Sequence, residues 1–99
     1  MQGKKESRDE ENILPEISRF LGIIIYMYFN EHNPPHFHAV YNENKASISV
    51  ETLGIIEGRL PSRVLSLVVE WAQDHKKELL NNWNSLKSSG NFQKIEPLV

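Results

Sequence analysis

Two consecutive prolines, Pro34 and Pro35, stand inside the segment His32-Asn33-Pro34-Pro35-His36-Phe37-His38. No helix runs through them. Each lacks a backbone N–H and each drives the preceding residue toward extended geometry. The chain on either side must therefore form separate elements joined by a stiff, extended or turned step. Three of the chain's four histidines fall within these seven residues. His36 and His38 follow at period two, so on a strand their rings share a face. His32 precedes the rigid step, where the chain can fold back toward them. Imidazoles clustered on a stiff frame suit metal binding, proton transfer or anion contact.

Upstream of the prolines, Ile17, Phe20 and the run Ile23–Phe29 are apolar, β-branched and aromatic, the composition of strands. Gly22 divides them as a bulge or tight turn does. This predicts a short strand at Ile17–Phe20 and a longer one at Ile23–Phe29. Downstream, His36–Tyr41 and Lys45–Val50 read as a hairpin around Asn42-Glu43-Asn44. Phe37, Ala39 and Tyr41 then face the core with Ala46, Ile48 and Val50, and His36 and His38 face away. With Glu43-Asn44 as a two-residue loop, His38 lies opposite Ser49 and His36 opposite Glu51. Ile55–Leu60 is a last strand, interrupted by Gly58.

From Pro61 the period changes. Pro61 suits a first helical turn, and Val64, Val68, Trp71, His75, Leu79, Trp83 and Leu86 recur at three and four as one apolar stripe. Leu65, Val69, Ala72 and Leu80 widen it. A helix from Pro61 to about Leu86 would be roughly 40 Å long; a break near Asp74-His75 gives two. Gly90 ends it as a C-terminal cap. Phe92, Ile95 and Leu98 lie in a final extended tail pinned to the core. The fold class expected is α+β: an antiparallel meander of about four strands followed by one long or two shorter helices on one sheet face.

The 99 residues fit one domain, 13–99, preceded by Met1–Asn12, a mixed-charge arm expected to be disordered. A chain this size buries a modest core, so a second copy would help it. With no cysteine there is no disulfide framework and no thiolate metal site. The net charge of −2 argues against a broadly basic nucleic-acid surface, though not against a local patch. No apolar run is long enough to cross a bilayer, and a cytoplasmic protein is the expectation.

A metal reading of the cluster takes His32, His36 and His38 as ligands to a divalent transition metal, with Glu31 and Glu51 the nearest carboxylates. A catalytic reading takes His36 and His38 as acid and base, with Arg59 holding a phosphate. The alternative is a turn device in which the rings bond loop carbonyls and pack on tyrosines. His75, on the helical stripe, reads as a core or interface histidine with one hydrogen bond, and Trp71 and Trp83 as core anchors. There is no Gly-x-Ser-x-Gly, P-loop or dinucleotide fingerprint.

The residues Pro15-Glu16-Ile17-Ser18-Arg19-Phe20, Gly22-Ile23, Met27-Tyr28-Phe29, His32 to Ala39, Glu57 to Pro61, Glu70-Trp71-Ala72, Leu79-Leu80, Asn82-Trp83 and Lys94 to Leu98 carry a resemblance. Together they resemble a small prokaryotic family without an agreed activity, domain-of-unknown-function family 4160. Its members are often encoded beside domain-of-unknown-function family 2442 proteins, in pairs that look like toxin–antitoxin or regulatory modules. The resemblance thus implies a small protein partner encoded nearby and a nucleic-acid target. The leading expectation is a protein-binding component of such a pair, contacting its partner through the Tyr and Ile positions of Ile23–Phe29 or through Trp71 and Trp83. The alternative is a histidine-dependent, metal-assisted nuclease or phosphoesterase.

Overall fold

The computed structural model describes residues 15–29 and 31–99; the predicted arm lies outside them. Five strands precede two helices: β1 Glu16–Phe20, β2 Ile23–Tyr26, β3 His36–Tyr41, β4 Asn44–Ser49, β5 Ile55–Gly58, α1 Ser62–Asp74 and α2 Lys76–Ser88. The strands form one antiparallel sheet in the order β1-β2-β3-β4-β5. This is the expected α+β meander with one strand more than anticipated.

The turns explain the meander. Phe20 pairs with Ile23 across Leu21 (φ 53°) and Gly22 (φ 79°). Two successive positive φ values make the primed hairpin turn whose twist matches the strands, so Gly22 marks a turn and not a bulge. β2 ends at Tyr26, three residues short of the expected Phe29. The β3–β4 loop is Asn42-Glu43, with Asn42 at φ 54°, a conformation asparagine tolerates. The loop thus lies one residue earlier than Glu43-Asn44. That moves each partner by two residues: His36 faces Ser49 and His38 faces Ser47. A shift of two preserves which face each side chain takes, so the predicted core face survives the corrected register. Between β4 and β5, buried Ser49 Oγ accepts the N–H groups of Glu51 (3.2 Å) and Thr52 (3.1 Å), closing the turn.

The inner face of the sheet supplies Ile23, Ile25, Phe37, Ala39, Ala46 and Ile48 to a core completed by the helices. From α1 come Val64, Val68, Trp71 and Ala72; from α2, Leu79, Trp83 and Leu86. The apolar stripe is as predicted, except that Leu80 is exposed. The stripe is carried by two helices, because His75 (φ −128°, ψ 23°) leaves helical geometry and its N–H bonds back to Ala72 O. Trp71 packs on Phe20 and Phe37, with ring centroids 5.5 and 6.1 Å away. The tail is tied down as expected: Trp71 Nε1 donates to Glu96 O (2.7 Å), and Ile95 N donates to Ile17 O (2.9 Å). Asn82 makes a two-point clasp on Gln93, giving Nδ2–H to its carbonyl and accepting its N–H, both at 2.8 Å.

The tail thus lies along the outer edge of β1. Among the described residues no strand pairs with the outer edge of β5, all four of whose residues are exposed.

Candidate functional site

Three side chains meet at the rim of the sheet where β3 begins. His36 and His38 come from β3, as the period-two spacing requires. Glu31 comes from the loop between β2 and β3. Its Oε1 lies 3.1 Å from His36 Nε2 and 2.9 Å from His38 Nε2. The side chains are 22, 12 and 8 % exposed respectively, so the carboxylate is the most accessible of the three.

The prolines set this geometry. Pro34, joined to Asn33 by a cis peptide, directs its carbonyl to His36 Nδ1 at 2.8 Å. Pro35 O accepts Val50 N–H at 3.0 Å, tying the same step to the end of β4. A carbonyl only accepts, so His36 Nδ1 must carry the proton. Its Nε2 therefore presents a lone pair to the carboxylate unless it holds a second proton or a cation.

His38 has the other option. Its Nδ1 lies 3.2 Å from Ser47 Oγ, a group that donates or accepts. When Ser47 donates to Nδ1, Nε2–H donates to Glu31. When Nδ1–H donates to Ser47, Nε2 is a free lone pair facing the carboxylate. The His38 ring stacks on Tyr26, its cross-strand neighbour, at 5.1 Å and 15°, and meets the edges of Tyr28 and His36. This aromatic wall is why burial outweighs Glu31 and holds the His38 pKa below its ordinary value, with the charges of His36 and Lys45 adding to the depression. Burial also pushes the neighbouring Tyr26 hydroxyl upward, leaving it a neutral phenol.

The two imidazole nitrogens and one carboxylate oxygen lie within 4.8 Å of one another and could hold a divalent metal ion. The fit can be tested by distance. Ligands about 2.0–2.1 Å from a tetrahedral ion stand roughly 3.3 Å apart; the two separations from Glu31 Oε1, 2.9 and 3.1 Å, need a few tenths of an ångström of opening, and the two Nε2 atoms lie within 4.8 Å of each other. His36 Nδ1–H is fixed by a carbonyl, which leaves its Nε2 free to ligate, and His38 Nε2 is free in the tautomer whose Nδ1–H donates to Ser47.

The other residues singled out in the sequence are placed elsewhere. His32 is exposed and is not among the converging donors; its neighbour Glu31 takes the third position. Glu51 is exposed too, its carbonyl accepting Lys76 Nζ at 2.9 Å. Arg59 is exposed just past β5, its N–H bonded to Lys45 O. His75 sits at the helix junction, bonded through Nδ1 to the Glu78 carboxylate and packed on Trp71. Of the expected partner-contact residues, Trp71, Trp83, Ile23 and Ile25 are buried in the core and Tyr26 is buried against His38, while Ile24 and Tyr28 remain partly exposed. A shallow cavity of about 310 Å³ opens beside His38, walled by Tyr28, Lys45, Ser47 and Glu57. Sequence reasoning missed Lys45 and Ser47; their parity on β4, opposite Val40 and His38, is the signal that finds them once the register is known.

The fold and the site define a small α+β module with a two-imidazole, one-carboxylate cluster at the sheet rim. A family model described as "Domain of unknown function (DUF4160)" matches residues 22–84, and the chain belongs to that family. No curated protein and no solved structure matches it.

Proposed function

We propose that this chain is a metal-binding module in which Glu31, His36 and His38 hold one divalent first-row transition-metal ion. The supporting observation is the convergence of both Nε2 atoms on Glu31 Oε1 while a backbone carbonyl fixes the His36 tautomer. An ion held by three protein ligands keeps a position for water, whose pKa such an ion lowers toward about 7. That chemistry suits phosphodiester hydrolysis, with the cavity beside His38 as the place for a substrate. Lys45 lies on that cavity wall and takes the anion-holding role given in sequence to Arg59. The test is metal content after purification without a tag, together with cleavage of RNA and of a chromogenic phosphodiester. Stoichiometric metal and metal-dependent cleavage, both lost in His36→Ala and His38→Ala, are the expected results. Cleavage unchanged in both variants rules out this chemistry, and absence of binding to zinc, cobalt or nickel rules out the metal.

A second reading, the protein-binding component of a two-gene, cytoplasmic toxin–antitoxin-like or regulatory pair, draws support from β5. Its edge is open among the described residues, and Ile55 and Ile56 are 40 and 48 % exposed. Such an edge accepts a strand from another chain. Co-expression with a small protein encoded nearby is expected to give a co-purifying complex that Ile56→Lys weakens. A monomer that captures nothing contradicts this reading, and a homodimer redirects the edge to a second copy. With net charge −2, nucleic acid is the less favoured partner.

A further inference from the structure

Of the three clustered side chains, two are fixed by the sheet and one is not. His36 and His38 belong to β3, His38 paired with both neighbouring strands and His36 with β4, whereas Glu31 lies in the loop that leads into it. Its carboxylate meets the two imidazoles, and its backbone is held by helix α2. Lys87, in the last turn of α2, donates from Nζ to the backbone carbonyl of Glu31 at 3.2 Å. The same ammonium lies 5.2 Å from the ring centroid of Trp83, one turn earlier, a cation–π distance. Trp83 in turn packs on the His36 ring, centroid to centroid 5.1 Å. One helix end therefore touches two of the three cluster residues: a ring of His36 from one side and the backbone of Glu31 from the other.

We infer that Lys87 is the positioning residue of the third ligand, holding the Glu31 backbone on α2 so that its carboxylate stays within reach of both Nε2 atoms. This rests on the metal reading above. Geometry and charge predict opposite signs for the loss of Lys87. Its ammonium repels a nearby divalent ion, so removing the charge alone would tighten metal binding. Releasing the Glu31 loop would weaken it, because the ligand must then be ordered at the moment of binding. We hold that positioning wins, since the bond is to the ligand's own peptide group and an ion on the carboxylate would lie a full side chain away.

The experiment is a double-mutant cycle on the full chain, with zinc affinity as readout. Lys87→Met should weaken zinc binding roughly three- to tenfold, the range of one modest hydrogen bond. Lys87→Arg should restore it. In a Glu31→Gln background Lys87→Met should have no further effect, and the melting temperature should move little because Lys87 is exposed. Tighter binding in Lys87→Met, or an equal loss with and without the Glu31 carboxylate, overturns the inference. A metal-free arm separates its failure from that of the metal reading. The carbonyl carbon shift of Glu31 should change in Lys87→Met and return in Lys87→Arg. An unchanged shift removes the clamp, whatever the metal result. A changed shift in a protein that binds no zinc leaves the clamp standing and overturns both the metal reading and Lys87's role as positioner of a metal ligand.

Discussion

His36 has one nitrogen already committed, and most of the site's chemistry follows from that. Because Pro34 O takes the Nδ1 proton, Nε2 is the working atom, and it faces a carboxylate. His38 is the neighbour kept neutral by burial. Its depressed folded pKa means that below about pH 6.5, the ordinary value, the unfolded chain binds more protons than the folded one. This histidine's contribution is complete above that pH and is lost as pH falls toward the folded value. In metal-free protein the melting temperature is expected to drop on acidification through this window, and His38→Gln to flatten the drop. An identical slope in that variant would show that other groups set it. The sequence exposed His36 and His38 by their spacing, yet His32, the third histidine, points away from the answer. Glu31 was visible only as a nearby carboxylate. Which of two adjacent residues turns inward depends on the path from Tyr26 to Pro34, and no periodicity governs a loop.

Among the elements, the hairpins and the helical stripe were legible because alternation and three-four spacing are backbone geometry written in side chains. The β3–β4 loop slid by one residue because Asn42, rather than Asn44, takes the positive φ; either asparagine suits such a turn. The helix break was one of two readings, since the stripe runs through His75 without losing phase. The free β5 edge was not legible, because pairing is a property of the whole sheet. Two substitutions test the element joints. Asn82→Ala removes both bonds of a 3 % exposed side chain and leaves the Gln93 backbone groups without it, so urea denaturation should report a loss of about 2–3 kcal/mol. Gly58 sits at φ 83°, where an added Cβ would collide with the Lys45 carbonyl. Gly58→Ala should therefore cost about 1–3 kcal/mol and loosen β5 from β4. A near-neutral result at either position would mean that the joint gives more readily than its contacts imply.

At the scale of the molecule, the tail, the helices and the sheet share one core that runs from Ile17 to Ile95. Its rim, not its interior, carries the cluster. No helix among the described residues is long and apolar enough to cross a membrane. The family's activity was beyond the reach of sequence; of the residues expected to contact a partner, Ile23, Ile25, Tyr26, Trp71 and Trp83 are buried, whereas Ile24 and Tyr28 are partly exposed. The rim cluster sets a fixed tautomer, a partly sheltered carboxylate and a neighbouring cavity on rings that also serve the proline turn and the aromatic packing, His36 through Pro34 O and Trp83 and His38 through Tyr26 and Tyr28. The central claim is therefore that Glu31, and not His32, completes a metal site. The direct measurement is calorimetric zinc titration of the wild-type chain beside Glu31→Gln and His32→Ala. The account predicts one equivalent bound by wild type, the same by His32→Ala, and at least a tenfold weaker affinity in Glu31→Gln. Binding that survives Glu31→Gln but fails in His32→Ala, or no binding by the wild-type chain, would contradict it.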